Sequence, residues 1–549
     1  MIAVRYHDST KHHFNRFARS VGYLDWATQP NPFRRYEGAP LRALPHEPLA
    51  GGVPYSALFT NGVPPQPITE HSIGEFLRCS MGLSAWKQYG QSRWALRVNP
   101  SSGNLHPTEA WIVHDGRVCH YAPREHALEE RCVLQATVGQ TFKVCPTDDC
   151  FLVALTSIIW REAWKYGERA FRYCQHDTGH AIGTLRLAAS MLGWQLRLLT
   201  EWSDAQIAAL LGLDRDADFE RAEREEPECV AIVGPGPGSG IRDPKVLIEA
   251  ARQGSWYGRA NRLSSGTVDW PVIDDVTRAT RYPGEPRAAE PRTPEPRTTE
   301  PRTPEPRTPG SRIPDPESRP PARAAREIII QRRSALSFDP RGYLQRDAFL
   351  SMLQRLQPGA SPWDAIDWPP HVHLVLFVHR VEDVTPGVYA YLRDPAVLDE
   401  WKAAMRPDFL WEAATDPRTL EPPTLFLLVP IDAGRIANRL SCDQDIAEEG
   451  FFGLAMMARF EQPLRERGEW FYRRLFWECG LIGQVLYLEA EAAGGRATGI
   501  GCYYDDPVHD LLGLSGHGWQ GLYHFSMGLP VEDTRLTSEP GYPWEVRTR

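Results

Sequence analysis

Two stretches of the chain, 301 residues apart, repeat one pattern of apolar and polar positions. The helical run LRLAASMLG stops at Gly193, and LYLEAEAAG stops at Gly494. Leu187 with Leu488, Ala189 with Ala490, and Gly193 with Gly494 share that offset, which also carries Leu210, Leu211, Gly212 and Leu213 onto Leu511, Leu512, Gly513 and Leu514. Around these anchors the same order is predicted twice: a helix, a short strand, a capped helix, and a closing strand. Ser203 with Gln206 has the capping-box pattern in the first copy, and Asp506 followed by Pro507 at the first helical position opens the matching helix in the second. CVAIVGP and LYHFSMGLP are short β-type runs stopped by Gly and Pro, so they read as the closing strands. Helices interleaved with strands predict an α/β or α+β layered domain. Two copies in one chain predict a fused dimer whose halves pack as two subunits would.

Between the copies, residues 283–321 are a Pro/Glu/Arg repeat with almost nothing apolar to bury, which predicts a disordered, semi-rigid linker. The expected organisation is an N-terminal extension over 1–70, a first domain over 71–245, a connecting segment over 246–282, the linker over 283–321 and a second domain over 322–549. Composition narrows the functional classes. A chain of 549 residues exceeds what one core supports, and a net charge of −9 offers no field for nucleic acid. The N-terminus lacks the apolar core of a secretory signal, and no run of about 18 apolar residues occurs, so a cytoplasmic protein with no membrane span is expected. Ten cysteines are scattered, and the one close pair, Cys145 and Cys150, has no partner pair at zinc spacing. Structural thiols and no metal site are expected.

Three segments carry candidate chemistry. Within RVNPSSGNLHPTEAWIV, residues 97–113, Pro100, Ser101, Ser102, Gly103 and Asn104 form a loop before an apolar strand. Small residues let backbone approach a planar ligand, and their hydroxyl and amide groups can bond its polar edge; a plain turn capping a strand uses the same residues. EIIIQRRSALSFDP places Arg332, Arg333 and Ser334 on a helical start behind an apolar face, where two guanidinium forks and a hydroxyl suit a phosphate or, equally, form a solvated face. His176, Asp177 and His180 sit at a predicted helix entrance. Asp177 and His180 are candidates for proton transfer during substrate oxidation, since His titrates near neutral pH; the structural alternative is that Asp177 caps the helix and His180 packs. Tyr173 and Lys165 are weaker candidates of the same kind. GPGPGSG, residues 234–240, lacks the Lys and Ser/Thr of a P-loop and reads as a domain exit.

On these motifs the first half resembles the azoline-oxidase (thiazole/oxazole-forming dehydrogenase) branch of the FMN-dependent nitroreductase family. The likeness lies in the Pro100-Ser101-Ser102-Gly103-Asn104 loop followed by Pro107 and Glu109, and in RAFRYCQHDTGHAIGTLRLAASMLGW. The second half is similar to the same family through Arg332-Arg333-Ser334, GLIGQVLYLEAEAAGG and GIGCYYDD. The resemblance implies an α+β fold, with a central, mainly antiparallel sheet flanked by helices in each of two tandem domains packed as an intrachain pseudo-dimer. It implies FMN between the halves, with phosphate on Arg332, Arg333 and Ser334, and the loop of residues 100–104 near the ring. It adds Gly499, Ile500, Gly501 and Cys502 against the ring, and Arg535 as a second phosphate ligand. The place of the loop in the second half holds Ile366, Asp367, Trp368 and Pro369, and the first half offers only Arg34 and Arg35 with no following Ser, so one complete site is expected. The implied activity is ping-pong hydride transfer through flavin, as a dehydrogenase or oxidase on a peptide or small natural product. A general NAD(P)H-dependent nitro or quinone reductase, with NAD(P)H as transient reductant, and a flavin-free scaffold are the alternatives.

Overall fold

The computed structural model describes residues 1–49, 52–60, 62–135, 149–236, 243–284, 323–414 and 424–545. The expected linker over 283–321, save its first two residues, and most of the GPGPGSG run lie outside them.

Each half is built on one antiparallel sheet. In the first, β1 (Thr108–His114), β2 (Arg117–Ala122), β3 (Ala127–Val133), β4 (Phe151–Ser157), β5 (Gln195–Leu198) and β6 (Glu226–Gly234) lie in the order β3-β2-β1-β4-β6-β5. In the second, β7 (Val372–Val378), β8 (Gly387–Tyr391), β9 (Leu425–Pro430), β10 (Phe452–Arg459), β11 (Arg496–Ile500) and β12 (Trp519–Gly528) repeat it as β9-β8-β7-β10-β12-β11. β4 and β7 are buried along their whole length and β1 at every residue but its last, as strands covered on both faces must be.

The helices keep the sequence offset to the residue. α1 (Ala170–Met191) and α3 (Phe471–Ala492) each run 22 residues, and α2 (Asp204–Leu211) and α4 (Asp505–Leu512) each run eight. α1 is buried on every side and α3 nearly so, as fits helices packed between two sheets. They cross at Gly179 and Gly480. A Cβ on Gly179 would stand 2.2 Å from the Trp477 carbonyl, and one on Gly480 2.2 Å from the His176 carbonyl, so only glycine permits this approach. Two ion pairs flank the crossing reciprocally: Arg172 to Asp505 at 2.8 Å and Arg473 to Asp204 at 2.5 Å. Each joins α1 or α3 to the short helix of the other half, the self-complementary arrangement of a twofold interface.

The ends of the chain tie the halves further. Helix Ile2–Ser9 inserts Tyr6 and His7 beside Tyr472, and strand Thr537–Pro540 pairs with Leu83–Tyr89 of the hairpin completed by Ser92–Arg97. No helix among the described residues is long and apolar enough to cross a membrane.

Four local expectations are corrected. His176, Asp177 and His180 lie in the second and third turns of α1, because the helix begins at Ala170. The helix preceding Arg332 ends at Gln331, so Arg332, Arg333 and Ser334 leave it in extended backbone, where Ser334 bridges Ala497 in parallel. α4 starts at Asp505, two residues before Pro507; the Asp505 carboxylate is held there by Arg169, Arg172 and the His12 amide, and a proline in the first turn costs no helical bond. Among the cysteines, Cys150 is disulfide-bonded, while eight of the described ones are free thiols. No cluster that could hold a metal ion occurs among the described residues.

Candidate functional site

A cavity of about 500 Å³ opens between the halves, and it collects Pro100, Ser101, Ser102, Gly103 and Asn104 from the first with Arg332, Arg333, Ser334, Gly499, Ile500, Gly501 and Cys502 from the second. Asp177 and His180 line it as well. Arg535 does not: its guanidinium turns outward to Asp533, 2.8 Å away, and its side chain is 71% exposed.

The loop owes its shape to two residues in the left-handed region, Gly103 at φ 58° and Asn104 at φ 59°. A Cβ on Gly103 would meet the Tyr166 hydroxyl at 2.6 Å, so this glycine is required by space and by backbone alike. Asp177 anchors the loop from below, accepting from the Ser102 amide at 3.0 Å and the Ser102 hydroxyl at 3.0 Å. Asn104 donates to the Ala95 carbonyl at 2.9 Å, and the His106 amide donates to Ser101 at 2.7 Å. Opposite, Tyr487 ties the second half's two segments together: its hydroxyl lies 2.9 Å from Ser334 Oγ and accepts from the Gly499 amide at 2.9 Å. The backbone at 499–501 runs tight against aromatic rings. A Cβ would stand 2.0 Å from Tyr523 at Gly499 and 2.2 Å from Tyr173 at Gly501.

One end of the cavity is cationic. Arg332, Arg333, Lys87 and Arg496 converge there, with Glu532 on Arg496 at 2.6 Å as the counter-charge. Burial lowers the pKa of Arg332, and burial together with its arginine neighbours pushes Arg333 down to about 9. Only one Arg332 nitrogen, Nη2, is bonded, to the Arg97 carbonyl at 3.3 Å; buried Nε and Nη1 have no protein partner. The same holds along the cavity wall for both ends of the Asn99 amide, both ring nitrogens of His106 and Nδ1 of His180. Buried polar atoms are normally paired, and each unpaired one costs about 1–3 kcal/mol. Four side chains with seven orphaned atoms on one cavity therefore describe a surface complementary to a polar, anionic ligand.

Burial pushes Asp177 up to about 7 and His180 down to about 3. At neutral pH His180 is an uncharged ring beside Tyr523 Oη, 3.3 Å from Nε2, and does not supply the near-neutral titration expected of it. Asn99, His106, Tyr166, Lys87, Arg496, Tyr487 and Tyr523 were not singled out from the sequence. Asn99 and His106 flank the loop motif, Arg496 lies just ahead of the glycine segment and Tyr487 lies within GLIGQVLYLEAEAAGG, so proximity to a motif is the signal for these four. Lys87 reaches the cavity only through the hairpin and carries no local signal.

At the matching place in the second half Trp363 and Trp368 are buried, with Arg393 over the Trp363 ring at 4.0 Å and Arg474 over Trp368 at 5.0 Å. Arg34 and Arg35 are spent on Glu225 at 3.1 Å and Glu129 at 2.6 Å.

The chain is thus a duplicated α+β fold with a polar, cation-ended cavity between its halves. The profile of the nitroreductase family matches residues 64–234 and 329–529, one copy in each half and together more than half of the chain; the chain belongs to that family. Among solved structures, it is similar to a protein from Anabaena variabilis ATCC 29413 assigned as a nitroreductase, at 18% identity and TM-score 0.61, covering 96% of this chain and 99% of that one. The whole two-half fold is thus shared. Two others match only one region: the E. coli microcin synthetase McbBCD complex with truncated pro-MccB17 bound (17% identity, TM-score 0.24, 36% of this chain and 71% of that one), and a nitroreductase from Exiguobacterium sibiricum 255-15 in complex with FMN (14% identity, TM-score 0.22, 38% and 88%). No curated protein sequence matches.

Proposed function

We propose that this chain is an FMN-dependent oxidoreductase with one composite site, the first half contributing the loop of residues 100–104 and the second the arginines. The observation that carries the reading is the set of orphaned buried groups on a single cavity, above all Nε and Nη1 of Arg332. FMN fits that donor set. Arg332, Arg333 and Ser334, helped by Lys87 and Arg496, would hold a dianionic phosphate, and a guanidinium fork suits it geometrically. Asn99 presents a donor and an acceptor to the polar edge of a ring, and the close-packed backbone at 499–502 offers it a flat wall. When bound, FMN supplies a ring that accepts a hydride in one half-reaction and donates it in the next.

The chain's own residues hold and shape this site. Asp177 fixes the Ser102 amide, Tyr487 fixes Ser334 and Gly499 together, and neutral His180 offers a hydrogen bond without a charge. Asp177, with its proton held to about pH 7, is the group on the wall able to take or give a proton near neutrality. On the resemblance noted above, the substrate is a peptide or small natural product undergoing dehydrogenation, and a cavity of about 500 Å³ is of the size that takes such a group.

The test is the visible spectrum of the purified protein with flavin quantitation after denaturation, for wild type and for Arg332→Ala/Ser334→Ala. About one FMN per chain, lost in the variant, is expected. A colourless protein that fails to take up added FMN overturns the reading. Reduction by NAD(P)H with fast turnover of quinones would replace the dehydrogenase assignment by a general reductase.

A further inference from the structure

Cys442 and Cys502 come from distant parts of the second half, yet their sulfurs are 3.0 Å apart, about 1 Å beyond a disulfide bond. They are also the two free cysteines among the described residues that are not buried; Cys79, Cys119, Cys132, Cys174, Cys229 and Cys479 are all enclosed. Cys502 lines the cavity. The backbone brings Cys442 to it by an unusual route: Cys442 and Asp443 both stand in the left-handed region, at φ 56° and 55°, after the helix Gly434–Leu440. Such conformations in non-glycine residues cost about 1–3 kcal/mol each and persist where surrounding bonds enforce them. Here Gln444 does so, donating to the Ser441 carbonyl at 2.6 Å and to the Cys502 carbonyl at 2.9 Å, which clamps the two cysteine segments together.

We propose that Cys442 and Cys502 are a redox-active dithiol at the rim of the cavity, cycling to an intramolecular disulfide by exchange with low-molecular-weight disulfides. Cys502 is the attacking sulfur. Contact with Cys442 and, behind it, the Arg169 guanidinium, which donates to the Gly501 carbonyl at 3.4 Å, lower its pKa and favour the thiolate. The thiolate attacks one sulfur of R–S–S–R; that bond breaks, R–S⁻ leaves and takes up a proton, and Cys502 carries a mixed disulfide. Cys442 then loses its proton and attacks Cys502 Sγ, expelling the second R–S⁻, which is protonated in turn. The protein dithiol is oxidised by two electrons, one small disulfide is reduced to two thiols, and the two cysteine protons end on those thiols. The disulfide form ties the loop of Gln444 covalently to residues 499–502 on the cavity wall, so the thiol state of the surroundings reaches the site directly. The assignment stands on the cysteine geometry alone and does not depend on FMN being the ligand.

The folded protein is equilibrated in glutathione buffers of graded oxidised-to-reduced ratio, alkylated without denaturation and weighed intact, with flavin content followed separately. Wild type is expected to lose two hydrogens in a single two-electron transition, with one cross-linked peptide joining Cys442 to Cys502. Cys442→Ser is expected to stop at one glutathione adduct on Cys502, and Cys502→Ser to react at least tenfold more slowly at Cys442. A folded protein whose two thiols stay alkylatable in fully oxidised glutathione, with no adduct on Cys442→Ser, overturns the proposal. So does a disulfide that forms only between molecules.

Discussion

Asp177 and Glu478 stand 301 residues apart at the same turn of α1 and α3, and each carboxylate accepts from backbone amides at or ahead of its half's first core strand. Asp177 takes the Ser102 amide and hydroxyl and leaves a cavity open above the loop. Glu478 takes the His371 amide at 3.1 Å and the Val372 amide at 3.2 Å, and is further closed by a buried ion pair with Arg393, whose guanidinium stacks on Trp363. The same position thus serves recognition in one copy and packing in the other. In the first half, polar atoms on the cavity wall stay unpaired and cost stability; in the second, tryptophans and a paired arginine fill the space. A fused pair is free to divide the work this way, whereas identical subunits must keep both sites alike.

The widest gap between the two positions is expected in stability. Glu478→Ala strands Arg393 as a buried unpaired charge and frees two amides, a change of about 3–5 kcal/mol. Asp177→Ala frees one amide and one hydroxyl, at about 1–3 kcal/mol. Thermal or urea unfolding of the two variants checks this, and equal losses would mean that Glu478 and Asp177 are not doing different jobs.

Titration offers a second contrast. Asp177 is raised in the folded protein to about 7, so the native state binds more protons than the unfolded chain between about pH 4 and 7, and stability from this group falls as pH rises through that window. By linkage the loss reaches up to about 4 kcal/mol. Asp505, pulled down by Arg169 and Arg172, has the opposite sign: its contribution is present above the unfolded carboxylate range and is lost as pH falls. Asp177→Asn should therefore gain on wild type in unfolding free energy from about pH 4 to about pH 7 and hold level above that. A flat difference would refute the raised carboxyl.

Arginine sharpens the same comparison. Arg332 is buried with two unbonded nitrogens, while Arg393 has Glu478 and three carbonyl or ring contacts. Removing an unsatisfied charge relieves desolvation, so Arg332→Met in ligand-free protein should be neutral or stabilising by about 1–2 kcal/mol, against a loss for Arg393→Met. Added FMN should reverse the order at Arg332, because binding to the native state alone stabilises wild type.

Much of this organisation could be read along the chain. The offset of 301 maps α1 onto α3 and α2 onto α4 residue for residue, because buried helices at a pseudo-twofold interface tolerate no insertion. The loop of residues 100–104, Arg332 and the 499–502 segment line one cavity. What escaped is what depends on distant chain segments: helix Ile2–Ser9 inserted at the interface, strand Thr537–Pro540 added to the other half's hairpin, and Lys87 carried in by that hairpin. The family likeness sets Asp177 at a helix entrance, and nothing local shows that the helix starts seven residues earlier. Arg535, in turn, has the right charge and the wrong neighbour, Asp533.

The smallest effect separates α2 from α4, which are the same length in the same place. α2 begins with a reciprocal box: Ser203 accepts from the Gln206 amide at 3.2 Å, and Gln206 accepts from the Ser203 amide at 2.8 Å. α4 has no side-chain cap at Tyr504, and its first residue, Asp505, is held by arginines from the other half. One start is secured locally and the other across the interface. Ser203→Ala should cost about 1 kcal/mol through one lost cap bond, and leave amide exchange in α4 unchanged. Arg172→Lys, which gives up the geometry of the fork while keeping its charge, should instead raise exchange in the first turn of α4 and leave α2 as it was. Hydrogen exchange on both helices in both variants reads the two effects at once, and a change in α2 on Arg172→Lys would show that the caps are not independent.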